Sequence, residues 1–212
     1  VTILVIGDLI IDEYWHGESY RISPEAPVPV VLNPRVTISA GGAANVALNL
    51  KALGSQTTLV TQANINEFDS DILKGVDQRI SICAVTPKKI RILGNNHQIC
   101  RIDHEQYQAL RAEEYLLDLK PAICVLSDYN KGVLDQVQTY INGCNARNIK
   151  TIVDPKKAWS NYGNCWLLKA NAAELESEIS RKFSHDELPA ICESLFNAHG
   201  IRNFVITLAE HG

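Results

Sequence analysis

The period of the apolar positions changes several times along the 212 residues, and each change predicts an element. Residues 1–6 form an apolar run ended by Gly7 and Asp8, the composition of a buried strand. Residues 9–12 continue it, so Asp8 and Asp12 are both expected near the carboxyl end of the first strand. Between 39 and 54 the pattern turns helical. Gly41 and Gly42 open a short loop, and Asn45 begins a helix with Val46, Leu50 and Leu53 on one stripe. Gly54 sits where a helix end favours positive φ. Residues 56–61 and 80–85 read as strands, with weakly helical character over 64–75. From 109 onward, helices over 109–119, 135–147, 172–181 and 184–199 alternate with strands over 122–127, 150–153, 165–168 and 203–208. Ser184-His-Asp-Glu187 is a capping-box signature, carried by its first and fourth residues, and Gly200 closes that helix. Strands separated by helices imply an α/β fold with a parallel sheet covered on both faces.

Two stretches depart from this alternation. Residues 13–39 carry Pro24, Pro27, Pro29 and Pro34, a density that excludes helix and central strand and allows edge strand or extended chain. Residues 88–103 contain two alternating runs around Gly94, Asn95 and Asn96, the signature of a hairpin. Together, over 14–39 and 88–103, they predict a small β lid standing off the main sheet. Its exposed edges need covering, so a homodimer through the lid is expected.

Bulk composition narrows the function classes. Hydrophobic content is 46%, charged content 21% and net charge −4, with no basic run of the kind that binds nucleic acid. No apolar stretch approaches the roughly 20 residues needed to span a bilayer, no signal peptide is visible, and a cytoplasmic protein is expected. The six cysteines are scattered without a C-x-x-C pair and read as free thiols in a reducing compartment. The histidines lack zinc spacing. There is no methionine, even at position 1, which raises the expectation that the sequence is a fragment.

Candidate chemistry collects just after strands: Asp8 and Asp12, then Asp128 and Lys131 in SDYNKG, then Asp154-Pro155-Lys156, then Asn171 with Glu174, and Thr207 in the last strand. In open α/β sheets that edge is where ligands bind. Lysines there suit phosphate as point charges, and carboxylates suit Mg²⁺ held partly through water. The Gly41-Gly42 loop lets backbone N–H groups approach a bound molecule at a helix N-terminus. Asp12, that loop and Asn45 are expected to form one binding site.

These residues resemble the PfkB, or ribokinase-like, family of sugar kinases. The resemblance rests on Gly7, Asp8 and Asp12, on GG-x-x-N at Gly41, Gly42 and Asn45, on DPK at 154–156, and on N-x-x-E at Asn171 and Glu174. RISPEAPVPV at 21–30, with D-x-Y-W-x-G, GGAANVALN, Q-x-x-R-x-D and LSDYNKG, resembles the branch acting on D-glycero-D-manno-heptose 7-phosphate in lipopolysaccharide synthesis. The resemblance implies a three-layer α/β/α sandwich with a β lid, and transfer of the ATP γ-phosphoryl group, with Mg²⁺, to the anomeric hydroxyl of the sugar phosphate. It implies that Asp8, Asp12, Gly41, Gly42 and Asn45 hold sugar hydroxyls. Arg21, Arg91 and Arg101 would meet the acceptor phosphate or close the lid, and Asp128 and Lys131 would line the cleft. Lys156 would face phosphate, Asn171 and Glu174 would organise the Mg²⁺–phosphate region through water, and Thr207 to Gly212 would begin the nucleotide edge. There the family's T-L-G-x-x-G reads TLAEHG, with alanine at the first glycine. The family's G-A-G-D segment, with its anion hole and base, would lie beyond Gly212, as would the nucleotidyltransferase domain of bifunctional members. These 212 residues alone are therefore expected to turn over little ATP. Two alternatives are a PfkB kinase for another sugar or nucleoside, and a non-catalytic protein that binds sugar phosphate or dimerises.

Overall fold

A computed structural model describes residues 1–110 and 119–212. The body is a seven-stranded sheet. In chain order its strands are β1 (Thr2–Gly7), β4 (Gln56–Ala63), β5 (Asp77–Ile82), β8 (Ile123–Ser127), β9 (Lys150–Asp154), β10 (Leu167–Asn171) and β11 (Phe204–Thr207). They lie in the order β11-β10-β9-β8-β1-β4-β5, and every pairing is parallel. Side chains of β1 alternate between two cores, which is why its sequence is apolar at nearly every position. Leu4 and Ile6 enter one, with Tyr140, Ile141, Leu175 and Ile191, while Ile3 and Val5 enter the other, with Ala43, Ala44 and Ala47. Helices α2 (Val137–Ala146), α3 (Ala172–Ile179) and α4 (Leu188–His199) supply the first core and α1 (Gly42–Ala52) the second. Among the described residues no helix is long and apolar enough to cross a membrane. The helix expected over 109–119 falls almost wholly outside the described residues.

Helix α1 corrects its predicted start and its predicted face. It begins at Gly42, three residues early, because Gly41 is still extended (φ −110°, ψ −176°) and the chain turns directly into the helix. Its buried face is Ala43, Ala44 and Ala47, whereas Leu53 is 82% exposed. Methyl groups let the helix lie close on the sheet, so the larger Val46 and Leu50 flank the contact. Gly54, at φ 86°, ends the helix as expected. Strand β5 starts earlier and β10 later than the apolar runs predict. Cys165, read as strand, instead closes a turn in which its N–H donates to Tyr162 O.

The lid is a second sheet with order β3-β2-β6-β7, made of β2 (Leu9–Glu18), β3 (Leu32–Gly41), β6 (Lys88–Gly94) and β7 (His97–His104). Strand β2 starts two residues after β1 ends, so a run that reads as one strand serves two sheets. Pro24, Pro27 and Pro29 lie in the β2–β3 connection and Pro34 lies in β3. That strand is an edge, where a missing donor costs least. Asn95 and Asn96 turn the β6–β7 hairpin with φ of 52° and 66°, the two positive values of a type I′ turn.

The Ser184–Glu187 capping box forms as its residues predict, followed by one 3₁₀ turn, Pro189 and α4. Glu187 accepts from the Ser184 N–H (2.8 Å) and pairs with Arg181 (2.9 Å), which together hold its carboxyl down at about 2 against an ordinary 4.5. A lowered folded-state pKa contributes stability above pH 4.5 that is lost as pH falls toward 2. Urea midpoints at pH 7 and pH 3 are expected to differ less in Glu187→Gln than in the unmodified protein.

Candidate active site

The strand order reverses direction of growth at β1, with β4 laid on one side and β8 on the other. A crevice opens at the carboxyl ends of such a pair. Asp8 fills the floor of this one. It is 1% exposed, and its carboxylate accepts the backbone N–H groups of Tyr129 (2.8 Å), Lys131 (3.1 Å) and Val133 (3.0 Å). Burial pushes its carboxyl above the usual range, against the pull of those three donors. Its own carbonyl accepts from Ala43 N–H at 2.9 Å. Asp8, expected to hold sugar hydroxyls, is thus committed to the backbone.

Asp12, expected beside Asp8 on the first strand, is the fourth residue of β2, in the lid. Its Oδ1 accepts from Arg91 Nη1 at 2.6 Å, and this hydrogen bond raises the guanidinium pKa. The other oxygen lies against the Gly41 Cα, where any side chain would collide with it. Gly42, at φ 59°, lies so close to the Asp8 carbonyl that a Cβ would not fit. The first turn of α1 has no side-chain cap and no acidic residue, and of its N–H groups that of Ala43 is taken by the Asp8 carbonyl. Asn45 stands exposed in that turn, its Oδ1 taking a 3.3 Å hydrogen bond from Asn49.

Strand register puts Asp12, Tyr14, Lys89, Arg91, Arg101 and Asp103 on one face of the lid. Arg91 lies over the Tyr14 ring at 5.0 Å, Lys89 reaches the Tyr129 ring of the body at 5.5 Å, and Arg101 makes a two-point contact with Asp103. Tyr14, Lys89 and Tyr129 were not singled out in the sequence. The period-2 spacing of Asp12 with Tyr14, and of Lys89 with Arg91, marks the first two. Arg21 is not brought to this group. It lies exposed in the β2–β3 connection.

On the other side of the crevice, Asp128 is also buried and committed. It accepts from Asn130 N–H (2.7 Å) and the Tyr162 hydroxyl (2.8 Å), with Lys157 Nζ at 3.8 Å. Lys131 pairs with Glu105 at 2.5 Å. Lys156 is exposed and shares a cavity of about 460 Å³ with Glu174, whereas Lys157 is tied to Leu134 O at 2.8 Å. Asn171 and Glu174 form a capping box on α3, with side chain to N–H distances of 2.9 and 2.8 Å in the two directions. The N-x-x-E spacing therefore serves the helix first, and the box leaves over Glu174 Oε1 and Asn171 Nδ2. Asn171 and Thr207 line a second cavity of about 460 Å³ at the ends of β10 and β11, with Gly212 just past the following 3₁₀ turn. Among the described residues no cluster of three or more His, Cys, Asp or Glu side chains could hold a metal ion by itself.

No family model matches the sequence. Curated relatives do. The bifunctional protein HldE of Pseudomonas aeruginosa is 37% identical over 223 residues, covering 99% of this chain and 47% of the relative. That of Azotobacter vinelandii is 38% identical over 223 residues with the same coverage. The chain spans about half the length of the curated relatives it matches. Among solved structures, Arabidopsis thaliana ribokinase complexed with ribose and ATP superposes with a TM-score of 0.75 at 14% identity, over 98% of this chain and 72% of that one. Phosphofructokinase-2 from Escherichia coli in complex with fructose-6-phosphate gives 0.72 at 20% identity, over 99% and 74%. The chain is thus similar in sequence to part of the HldE proteins and shares its fold with ribokinase and phosphofructokinase-2.

In this chain, then, two carboxylates four positions apart in sequence have opposite tasks. Asp8→Ala would strand three N–H donors, one buried and two part-buried, and is expected to cost about 3 kcal/mol or more of stability. Asp12→Ala breaks a partly exposed pair and is expected to cost less than about 1 kcal/mol. Urea unfolding of the two variants checks this, and equal losses would contradict the assignment.

Proposed function

We propose that the chain carries the sugar-phosphate site of an ATP-dependent kinase that phosphorylates the anomeric hydroxyl of D-glycero-D-manno-heptose 7-phosphate. The observation that carries this reading is the corner where the Asp12–Arg91 pair faces Gly41 and the uncapped first turn of α1. A carboxylate beside a helix N-terminus without a side-chain cap suits sugar hydroxyls. A guanidinium suits a phosphate, with Arg101 and Lys89 further along the same face. The choice of heptose rests on RISPEAPVPV and its companion segments and on the likeness to the HldE proteins.

ATP would lie across the ends of β9, β10 and β11, with Lys156 toward its phosphates. Glu174 Oε1, the oxygen that the capping box leaves over, fits a hydrated Mg²⁺ bridging those phosphates. When bound, that ion neutralises charge on the transferring group. No base is assigned among the described aspartates. Asp8 and Asp128 are buried and committed, and Asp154 Oδ1 pairs with Lys169 at 3.2 Å.

We infer a homodimer through the lid. The face opposite the charged one carries Val36, Ile38 and Ile102, which are 49%, 56% and 43% exposed. Beside it, a cavity of about 510 Å³ is lined by Trp15, Val28, Pro29, Val31, Pro34 and Ile92 among others. An apolar face on a sheet with an open edge strand is a surface that a second copy can cover.

Calorimetry tests the substrate reading. The heptose 7-phosphate is expected to bind about tenfold or more tightly than fructose 6-phosphate, and Asp12→Ala to weaken the sugar about tenfold while leaving ADP affinity unchanged. Equal binding of the two sugar phosphates, or equal effects of Asp12→Ala on both ligands, would sink it. Sedimentation at tens of micromolar is expected to give a dimer that Ile38→Asp converts to monomer.

A further inference from the structure

Tyr162 lies in the 3₁₀ turn Trp159–Tyr162, is fully buried, and was not among the sequence candidates. A phenol hydroxyl has one proton to give and room for two donors, and here all three capacities are used. It donates to Asp128 Oδ2 at 2.8 Å and accepts the backbone N–H groups of Lys156 and Lys157, each at 3.0 Å. Two successive N–H groups converging on one point form a concavity that ordinarily takes an anion. In this chain a neutral oxygen fills it. Burial and the adjacent Asp128 charge both raise the phenol pKa, which keeps the hydroxyl protonated. The same stretch of chain is held at two further points. Asp128 N–H donates to Asp154 O at 3.0 Å, and Lys157 Nζ donates to Leu134 O at 2.8 Å. Lys156 and Lys157 both line the cavity beside Glu174, but the Lys157 ammonium is spent on Leu134 O, which leaves that of the exposed Lys156 for a ligand.

We propose that Tyr162 is a positioning residue, whose hydroxyl plugs the two-amide concavity of the Asp154–Lys157 loop and so sets the Lys156 ammonium toward the nucleotide phosphates. The proposal rests on the kinase reading above. It assigns no chemistry to the phenol, which acts through Lys156.

The test is a double-mutant cycle read by ADP calorimetry. Lys156→Gln and Tyr162→Phe are each expected to weaken ADP about tenfold. Because they act on one contact, Tyr162→Phe on the Lys156→Gln background is expected to add about twofold or less. Heptose 7-phosphate affinity is expected to hold within about twofold in both, which a merely structural loss would not permit. Amide exchange over residues 155–158 is expected to quicken in Tyr162→Phe. If that variant does not fold, Asp128→Asn leaves a single neutral oxygen for the phenol and the Asn130 N–H to share and is expected to give the same pattern more weakly. Full additivity of the two substitutions, or unchanged ADP affinity in Tyr162→Phe with the unmodified protein binding ADP, overturns the proposal alone. An unmodified protein that binds no ADP refutes the kinase reading, and the proposal with it.

Discussion

The Asp8 side chain is the constraint on which the site depends. It ends the central strand, begins the lid, and holds the loop after the neighbouring strand by three backbone N–H groups at 2.8–3.1 Å. Its carbonyl holds the first turn of α1. Three stretches distant in sequence, the β1–β2 junction, the first turn of α1 and the loop over 129–133, thus converge on one residue. A buried carboxylate is costly alone, and here charge-assisted hydrogen bonds, each worth roughly 1.5–3 kcal/mol, offset that cost. The rigid floor this creates fixes where the lid and the helix N-terminus meet.

Above that floor the lid is a sheet with two unlike faces. One carries Asp12, Arg91, Arg101 and Lys89, and the other carries Val36, Ile38, Ile92 and Ile102. The Asp12–Arg91 pair is about one-fifth exposed on each side, so solvent screens it and its contribution to stability is small. Its value is orientation. It holds one carboxylate oxygen against Gly41 and one guanidinium on the charged face. Strand pairing delivers both features at once, since period-2 alternation sends neighbouring residues to opposite sides.

The far side of the crevice uses the same economy of polar groups. Asp128, Tyr162 and Lys157 satisfy one another and the backbone, which frees Lys156 and Glu174 Oε1. Groups that look equivalent as types divide into those that hold the loops and those left to meet a ligand.

Much of this was determined by the sequence alone, through local rules. Apolar period located the body strands and α2 to α4, four prolines and an Asn-Asn turn marked the lid, and Gly54 and Gly200 marked helix ends. The strand-end position of nearly every candidate residue was also legible. What only the tertiary structure decided was which of those residues are spent. Asp8 finds its donors more than 120 residues away, and Asp128 finds Tyr162 34 residues away, separations at which no local pattern carries information. Asp12 moved to the lid because the two sheets meet at Gly7-Asp8, between two apolar runs of the same strand-like character, so hydrophobicity has the same value on both sides of the junction. The stripe on α1 misled because the distance between helix and sheet, which selects alanine over leucine for the contact, is a property of the packed layers and not of the helix.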